Sequence, residues 1–183
     1  MIDVTSWRDR GPEPIGRVRV KNWLVNPANR ERSLFKRPRE GEPGEVWAEK
    51  LAAELAVEIG LPAARIDLAS SGGELGTISP SFLASGEELV LGQMLLCGRF
   101  PAYPSDRQGR HTDEYAVERV LQVLDRAVPP RRWQALPSCT TGCEMFAGYV
   151  VFDAWIGNMD RHHHNWGWVT SLGDDAAALA PTF

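Results

Sequence analysis

The sequence predicts an α+β protein of two lobes: a small β-rich N-terminal lobe with one main helix, and a mostly helical C-terminal lobe. Three observations predict it. Residues 16–35 and 64–83 combine strand-like runs with turn residues, and a helical ladder lies between them. Past residue 110, two helical stretches lead into a final strand, turn and strand. The chain's 183 residues are enough to bury roughly 70% of the surface that the unfolded form exposes, which suits one domain or two small lobes.

In chain order, "GRVRVKNWLV" and "ERSLFK" flank the turn-forming "NPANRE" and predict a hairpin. "EVWAEKLAAELAVEIG" places Trp47, Ala48, Leu51, Ala52, Leu55, Ala56 and Ile59 on a helical ladder, stopped by Gly60 and Pro62. "ARIDLASSGGELGTISPSFL" reads as two strands around a Ser/Gly turn. "ASGEELVLGQMLLCGRFPAYPSDRQGRH" is punctuated by Gly and Pro and reads as a link, which sets a boundary near residues 92–110 and lobes of residues 1–95 and 96–183. "DEYAVERVLQVLDRAV" is a helix with acidic residues in its first turn, stopped by two prolines. "TGCEMFAGYVVFDAWI" opens with Thr141 and Glu144 at capping-box spacing, and its nearly all-round apolar surface predicts a buried central helix. "WGWVTS", "LGDD" and "AAALAPTF" then read as strand, turn and strand. The tryptophans Trp23, Trp47, Trp155, Trp166 and Trp168 are expected to pack in the core or between lobes.

A 43% hydrophobic and 24% charged composition is that of a globular protein. No apolar run has the length of a bilayer span, and "MIDVTSWRDRGPEP" has no segment of signal-peptide type, so a cytoplasmic location is expected. Three cysteines, an odd number, fit reduced thiols. Net charge is −4, but residues 8–39 hold ten of the twenty Lys and Arg against three acidic residues. This basic stretch fits exposed strand faces or proximity to phosphates. No helix, finger or aromatic platform pattern accompanies it, and no direct nucleic-acid binding is expected.

The central helix runs directly into "IGNMDRHHHNWGWV". Asp160 and Asn165 lie five positions apart on a loop between a helix and a hairpin. Protein kinases use such a pair: an aspartate that orients and deprotonates the acceptor hydroxyl, and an asparagine that holds magnesium. Phosphoryl transfer depends on positioning and charge stabilisation, so base and metal ligand must sit together. A lysine on a strand and a glutamate on the next helix complete the plan. Lys36 ends the strand "LFK", and Glu49 lies one turn into the following helix, with Glu45 one turn earlier as a competing candidate. The order of these parts predicts a bilobal protein-kinase-like architecture.

"GNMDRHHHNW" resembles the G-N-x-D-x-H-x-x-N loop of HipA-like kinases, with Gly157, Asn158, Asp160, His162 and Asn165 in register. "VRVKNWL", "LFKRP", "AEKLAAELAVEIGLP" and "LGTISPSFL" resemble the nucleotide-binding half of that family. The resemblance covers most of residues 16–183. It implies an ATP- and Mg²⁺-dependent serine/threonine kinase acting on a protein, related to toxins of toxin–antitoxin modules, with an antitoxin as an expected partner. It further implies that Lys36 contacts the phosphates, Glu49 pairs with it, Asp160 is the catalytic base and Asn165 a metal ligand. His162 is expected to hold Asp160 in place.

Two departures are visible. The glycine-rich phosphate loop of ordinary protein kinases is absent; only Gly16 precedes "RVRVKNW", which assigns phosphate coverage to other backbone or to Arg17, Arg19 and Lys21. The second metal-binding carboxylate is expected just after "LAPTF", where the sequence ends, and Asp174 and Asp175 in a turn are poor substitutes. Two further readings therefore stand beside the kinase: a nucleotide-binding regulatory module without transfer, and a lipid kinase sharing the fold. A zinc site built from His162, His163 and His164 with Cys139 and Cys143 is disfavoured. Consecutive histidines in an extended loop alternate in direction, and C-x3-C at a helix start is not a familiar zinc pattern. His163 and His164 are expected to be exposed and incidental.

Overall fold

A computed structural model describes residues 1–12, 21–104, 114–133, 139–171, 173 and 176–182. Gly16, Arg17, Arg19, Asp174 and Asp175 lie outside the described residues. The chain divides into two compact units, one of Met1–Leu55 with Ala64–Phe82, the other of Ala56–Ala63 with Leu83–Phe183.

The first unit is a six-stranded sheet built from β1 (Ile2–Asp3), β2 (Arg8–Pro12), β3 (Lys21–Val25), β4 (Arg32–Lys36), β5 (Asp67–Ser71) and β6 (Glu74–Pro80). The spatial order is β1-β5-β6-β4-β3-β2, antiparallel except where β1 joins β5. The two predicted hairpins are present, and β1 and β2 extend the sheet at its edges. The β5/β6 connection is a two-residue turn in which Gly72 and Gly73 have φ of 59° and 84°. Two positive φ values in succession match the twist of the flanking strands and favour glycine. Val4, Leu24, Phe35, Ala69 and Ile78 form the core on one sheet face, with Ile2 and Trp7 packed against it. Successive strand residues alternate faces, so Lys36, one position beyond Phe35, stands on the opposite face.

Helix α1 (Gly44–Glu58) follows the predicted bounds but not the predicted rotation. Val46 and Ala56 are buried and Glu49 and Ala53 half-buried, whereas Trp47 is 60% exposed and Leu51 and Ile59 are also exposed. The expected apolar ladder therefore does not mark the inward face. The inward side instead carries Glu49 with the polar contacts described below.

In the second unit, the stretch expected to be a link contains β7 (Glu87–Leu91) and α2 (Gly92–Arg99). These are followed by α3 (Val117–Leu124), α4 (Gly142–Ile156), β8 (Gly167–Ser171) and β9 (Ala178–Leu179), with β8 central in a three-stranded antiparallel sheet, β7-β8-β9. The capping box at the start of α4 is formed: Glu144 N–H donates to Thr141 Oγ1, while the Glu144 carboxylate accepts from Thr141 N–H. This satisfies backbone donors that the first turn leaves without helical partners.

Helix α4 is not buried all round. Met145, Phe146, Tyr149, Phe152 and Asp153 are buried, but Val151 is 70% and Trp155 63% exposed. Trp47 and Trp155 are thus surface residues and correct the expectation that they pack inside; Trp166 is buried, its ring centroid 5.5 Å from that of Phe146.

Candidate functional site

In the first unit, Lys36 and Thr77 face each other across the β4/β6 ladder. Glu49 on α1 reaches both: Lys36 Nζ lies 4.0 Å from its Oε1, and Thr77 Oγ1 donates to its Oε2 at 2.8 Å. Thr77, a residue the sequence did not single out, is buried and orients the carboxylate. The competing Glu45 instead accepts from Arg39 N–H at 2.8 Å and pairs with its guanidinium. Lys21 is opposite Lys36 on β3. Gly76 adjoins this point: a Cβ there would meet the Lys36 carbonyl and the Phe35 ring, so β4 and β6 approach closely only because residue 76 lacks one.

In the second unit, α4 ends at Gly157, whose φ of 73° suits the left-handed cap. Asn158 N–H donates to Asp153 O at 2.8 Å, closing the turn. Asn158 Oδ1 then accepts from Asp160 N–H at 3.1 Å, which fixes the backbone of the exposed Asp160. Asn165 Nδ2 donates to the Asp160 carbonyl at 2.5 Å and lies 3.2 Å from its carboxylate Oδ2. His162 Nδ1 accepts from His164 N–H at 3.2 Å, so a neutral imidazole carries its proton on Nε2, which faces Asp160 Oδ1 at 3.3 Å. Both carboxylate oxygens of Asp160 are thereby faced by loop donors, while the group stays open to solvent.

Four residues missed by the sequence reading build this loop from behind. Asp153, 4% exposed, takes a two-pronged contact from Arg161, with Nε at 2.6 Å from Oδ2 and Nη2 at 2.9 Å from Oδ1. Asn158 Nδ2 donates to the same carboxylate at 2.8 Å. A charged residue inside a helix that is otherwise apolar after its cap is a signal that a partner must exist, and Arg161 was the nearest unassigned cation. The others are Tyr103 and Tyr115. His163 is fully buried, its Nδ1 taking the Tyr103 hydroxyl at 2.5 Å, and burial pushes the Tyr103 phenol up to about 12. His163 is therefore a core residue, not an exposed one, and His164 is half-buried with its ring centroid 4.4 Å from that of His163. Tyr115 OH donates to Arg161 O at 2.8 Å and accepts from Trp166 Nε1–H at 2.9 Å. Burial is the main cause that raises its phenol to about 12 as well.

Helix α2 completes the support. Its first-turn N–H groups have no side-chain cap; Gly92 N–H donates to Trp166 O at 2.8 Å and Gln93 N–H to His163 O at 2.9 Å. The helix start thus finds acceptors in the loop itself. Gly92 lies against the Trp166 indole, leaving no room for a Cβ.

Among the described residues, no group of three His, Cys, Asp or Glu is arranged to hold a metal. The Asn165 amide oxygen and the Asp160 carboxylate are hard oxygen donors, and it is the amide nitrogen that faces the carboxylate. These fit part of the shell of a divalent cation such as Mg²⁺, which keeps waters and phosphate oxygens around one or two carboxylates. The Lys36 ammonium, held beside Glu49, fits a phosphate.

No protein-family model and no curated protein matches the chain. Among solved structures, it is similar to the proinflammatory kinase CtkA of Helicobacter pylori, with a TM-score of 0.73 and 22% identity over 100% of this chain and 59% of that one. It is also similar to a structure of the toxin–antitoxin system HipA, HipB and its operator DNA from Shewanella oneidensis, with a TM-score of 0.63 and 14% identity over 97% of this chain and 44% of that one. The chain therefore spans about three fifths and under half of the lengths of these two neighbours. Together with the mixed α+β architecture, these likenesses show that the chain has a HipA-like kinase fold.

Proposed function

We propose that the chain carries the nucleotide-binding and base-bearing parts of an ATP- and Mg²⁺-dependent kinase acting on serine or threonine hydroxyls of a protein. The observation that carries this reading is the juxtaposition of Asp160 and Asn165, with the Asn165 amide 3.2 Å from the Asp160 carboxylate on a loop anchored at both ends. In this reading the first unit, not residues 1–95 as a block, forms the nucleotide lobe, where Lys36, oriented by Glu49, holds phosphate oxygens and Lys21 adds positive charge. The second unit, which takes in β7 and all of α2, contributes the base. Asp160 accepts the proton of the acceptor hydroxyl, with His162 keeping its carboxylate in place. Asn165 would hold the metal, which when bound neutralises charge on the phosphates. The resemblance to a toxin–antitoxin protein supports an antitoxin as partner.

Incubation with γ-labelled ATP, Mg²⁺ and a protein acceptor tests this. Asp160→Asn is expected to lower transfer by about 10²- to 10⁴-fold, the usual contribution of a positioned base. Turnover unchanged by that substitution overturns the assigned role. A second reading is a nucleotide-binding module without transfer. Calorimetry separates the two: ADP binding that ignores Mg²⁺, with no transfer, favours the module, and absence of nucleotide binding rejects both.

A further inference from the structure

We propose that Arg161 is a positioning residue that sets the spacing of Asp160 and Asn165, using the buried Asp153 as its fixed anchor. The inference rests on the phosphotransfer reading of the loop for its functional meaning, but its geometry stands alone. The side chains of Arg161 and Asp153 are 11% and 6% exposed. The guanidinium makes four connections at once. Two go to Asp153 on α4; Nη1 donates to the Asn165 carbonyl at 3.0 Å; Nη2 also donates to Thr182 Oγ1 at 2.7 Å, in the segment after β9. Its flat face lies over the Tyr149 ring, 5.6 Å from the centroid.

Arg161 directly follows Asp160, and its side chain grips the backbone of Asn165. The residue between base and metal ligand therefore spans the whole interval they must keep. Asp153 belongs to the last turn of α4 and also holds Asn158, whose side chain orients Asp160 N–H. One carboxylate thus braces both sides of Asp160. Only a planar five-donor group satisfies this set; a lysine supplies the charge but not the fork.

The test uses the wild-type chain, Arg161→Lys, and the double variant Asp153→Asn/Arg161→Gln, which removes the buried charges together so that neither is stranded. Circular dichroism and thermal melting check folding. Proton NMR follows the His162 Nε2–H resonance, assigned by its loss in His162→Gln, as a readout of whether His162 still faces Asp160. ADP binding is measured with and without Mg²⁺. The expected result is that a folded variant keeps metal-free ADP affinity, loses the His162 signal, and loses about 10- to 100-fold of the Mg²⁺-dependent gain, the range for groups behind a metal ligand. If Arg161→Lys fails to fold, the double variant carries the comparison. A His162 signal retained in a folded variant overturns the positioning role, whatever the nucleotide result. If the wild type shows the signal but gains nothing from Mg²⁺, the phosphotransfer reading fails, while loss of the signal in the variants still supports the geometric role.

Discussion

Replacing a single buried atom shows how the loop histidines divide their labour. Tyr103→Phe removes the hydroxyl that His163 Nδ1 accepts in a fully buried setting. Loss of such a partner costs about 1–3 kcal/mol, and urea unfolding should show a destabilisation of that size. The Tyr103 phenol, pushed up to about 12, stays neutral through the working pH range. His162 answers to a different test: His162→Gln should lower transfer, because its Nε2 faces the exposed Asp160. The sequence placed all three histidines in one run. Both His162 and His163 are buried, and only their partners, Asp160 for one and Tyr103 for the other, distinguish their roles.

Helices α1 and α4 show what their periodicities encode and what they leave open. Thr141→Ala should cost about 1 kcal/mol through loss of the capping box. Val151→Lys, on the exposed face of the same helix, should change stability by no more than about 0.5 kcal/mol. A fully buried central helix would make the second change far more damaging, so the pair of melts decides between the two descriptions. In the sheet, Gly76→Ala should destabilise by about 1–3 kcal/mol because the added methyl meets the Lys36 carbonyl and the Phe35 ring. The hairpins, both long helices and the capping box were legible because each is written in local spacing. The strand β7 and helix α2 were not. Their glycine and short length read as a link, and their stability comes from pairing with β8 and from carbonyls of the Asp160 loop.

For the molecule as a whole, charge contacts between distant segments tie the second unit together. Arg132 meets Glu87 on β7, with Nη1 at 2.9 Å from Oε1, and holds the Glu87 carboxylate below its usual value of 4.5. A depressed carboxylate stabilises the fold above its unfolded value and loses that contribution as pH falls through its folded one. The stability difference between wild type and Arg132→Gln should therefore be present at about pH 7 and shrink as pH drops below about 4; a gap that persists in acid would show that the contact is not ionic. None of the described helices is long and apolar enough to cross a membrane.

Beyond the motif resemblance that implied the HipA-like fold, the sequence by itself determined the α+β class and the chain order of lysine strand, glutamate helix, capped helix and Asp-x4-Asn loop. These follow from periodicity and spacing, which act between near neighbours. Tertiary structure decided which glutamate meets Lys36, which face of α1 turns inward, and that Asp153 and Arg161 stand behind the loop. Each of those choices depends on burying a charge only where a partner from elsewhere can reach it, and that condition becomes visible only when the chain has folded back on itself.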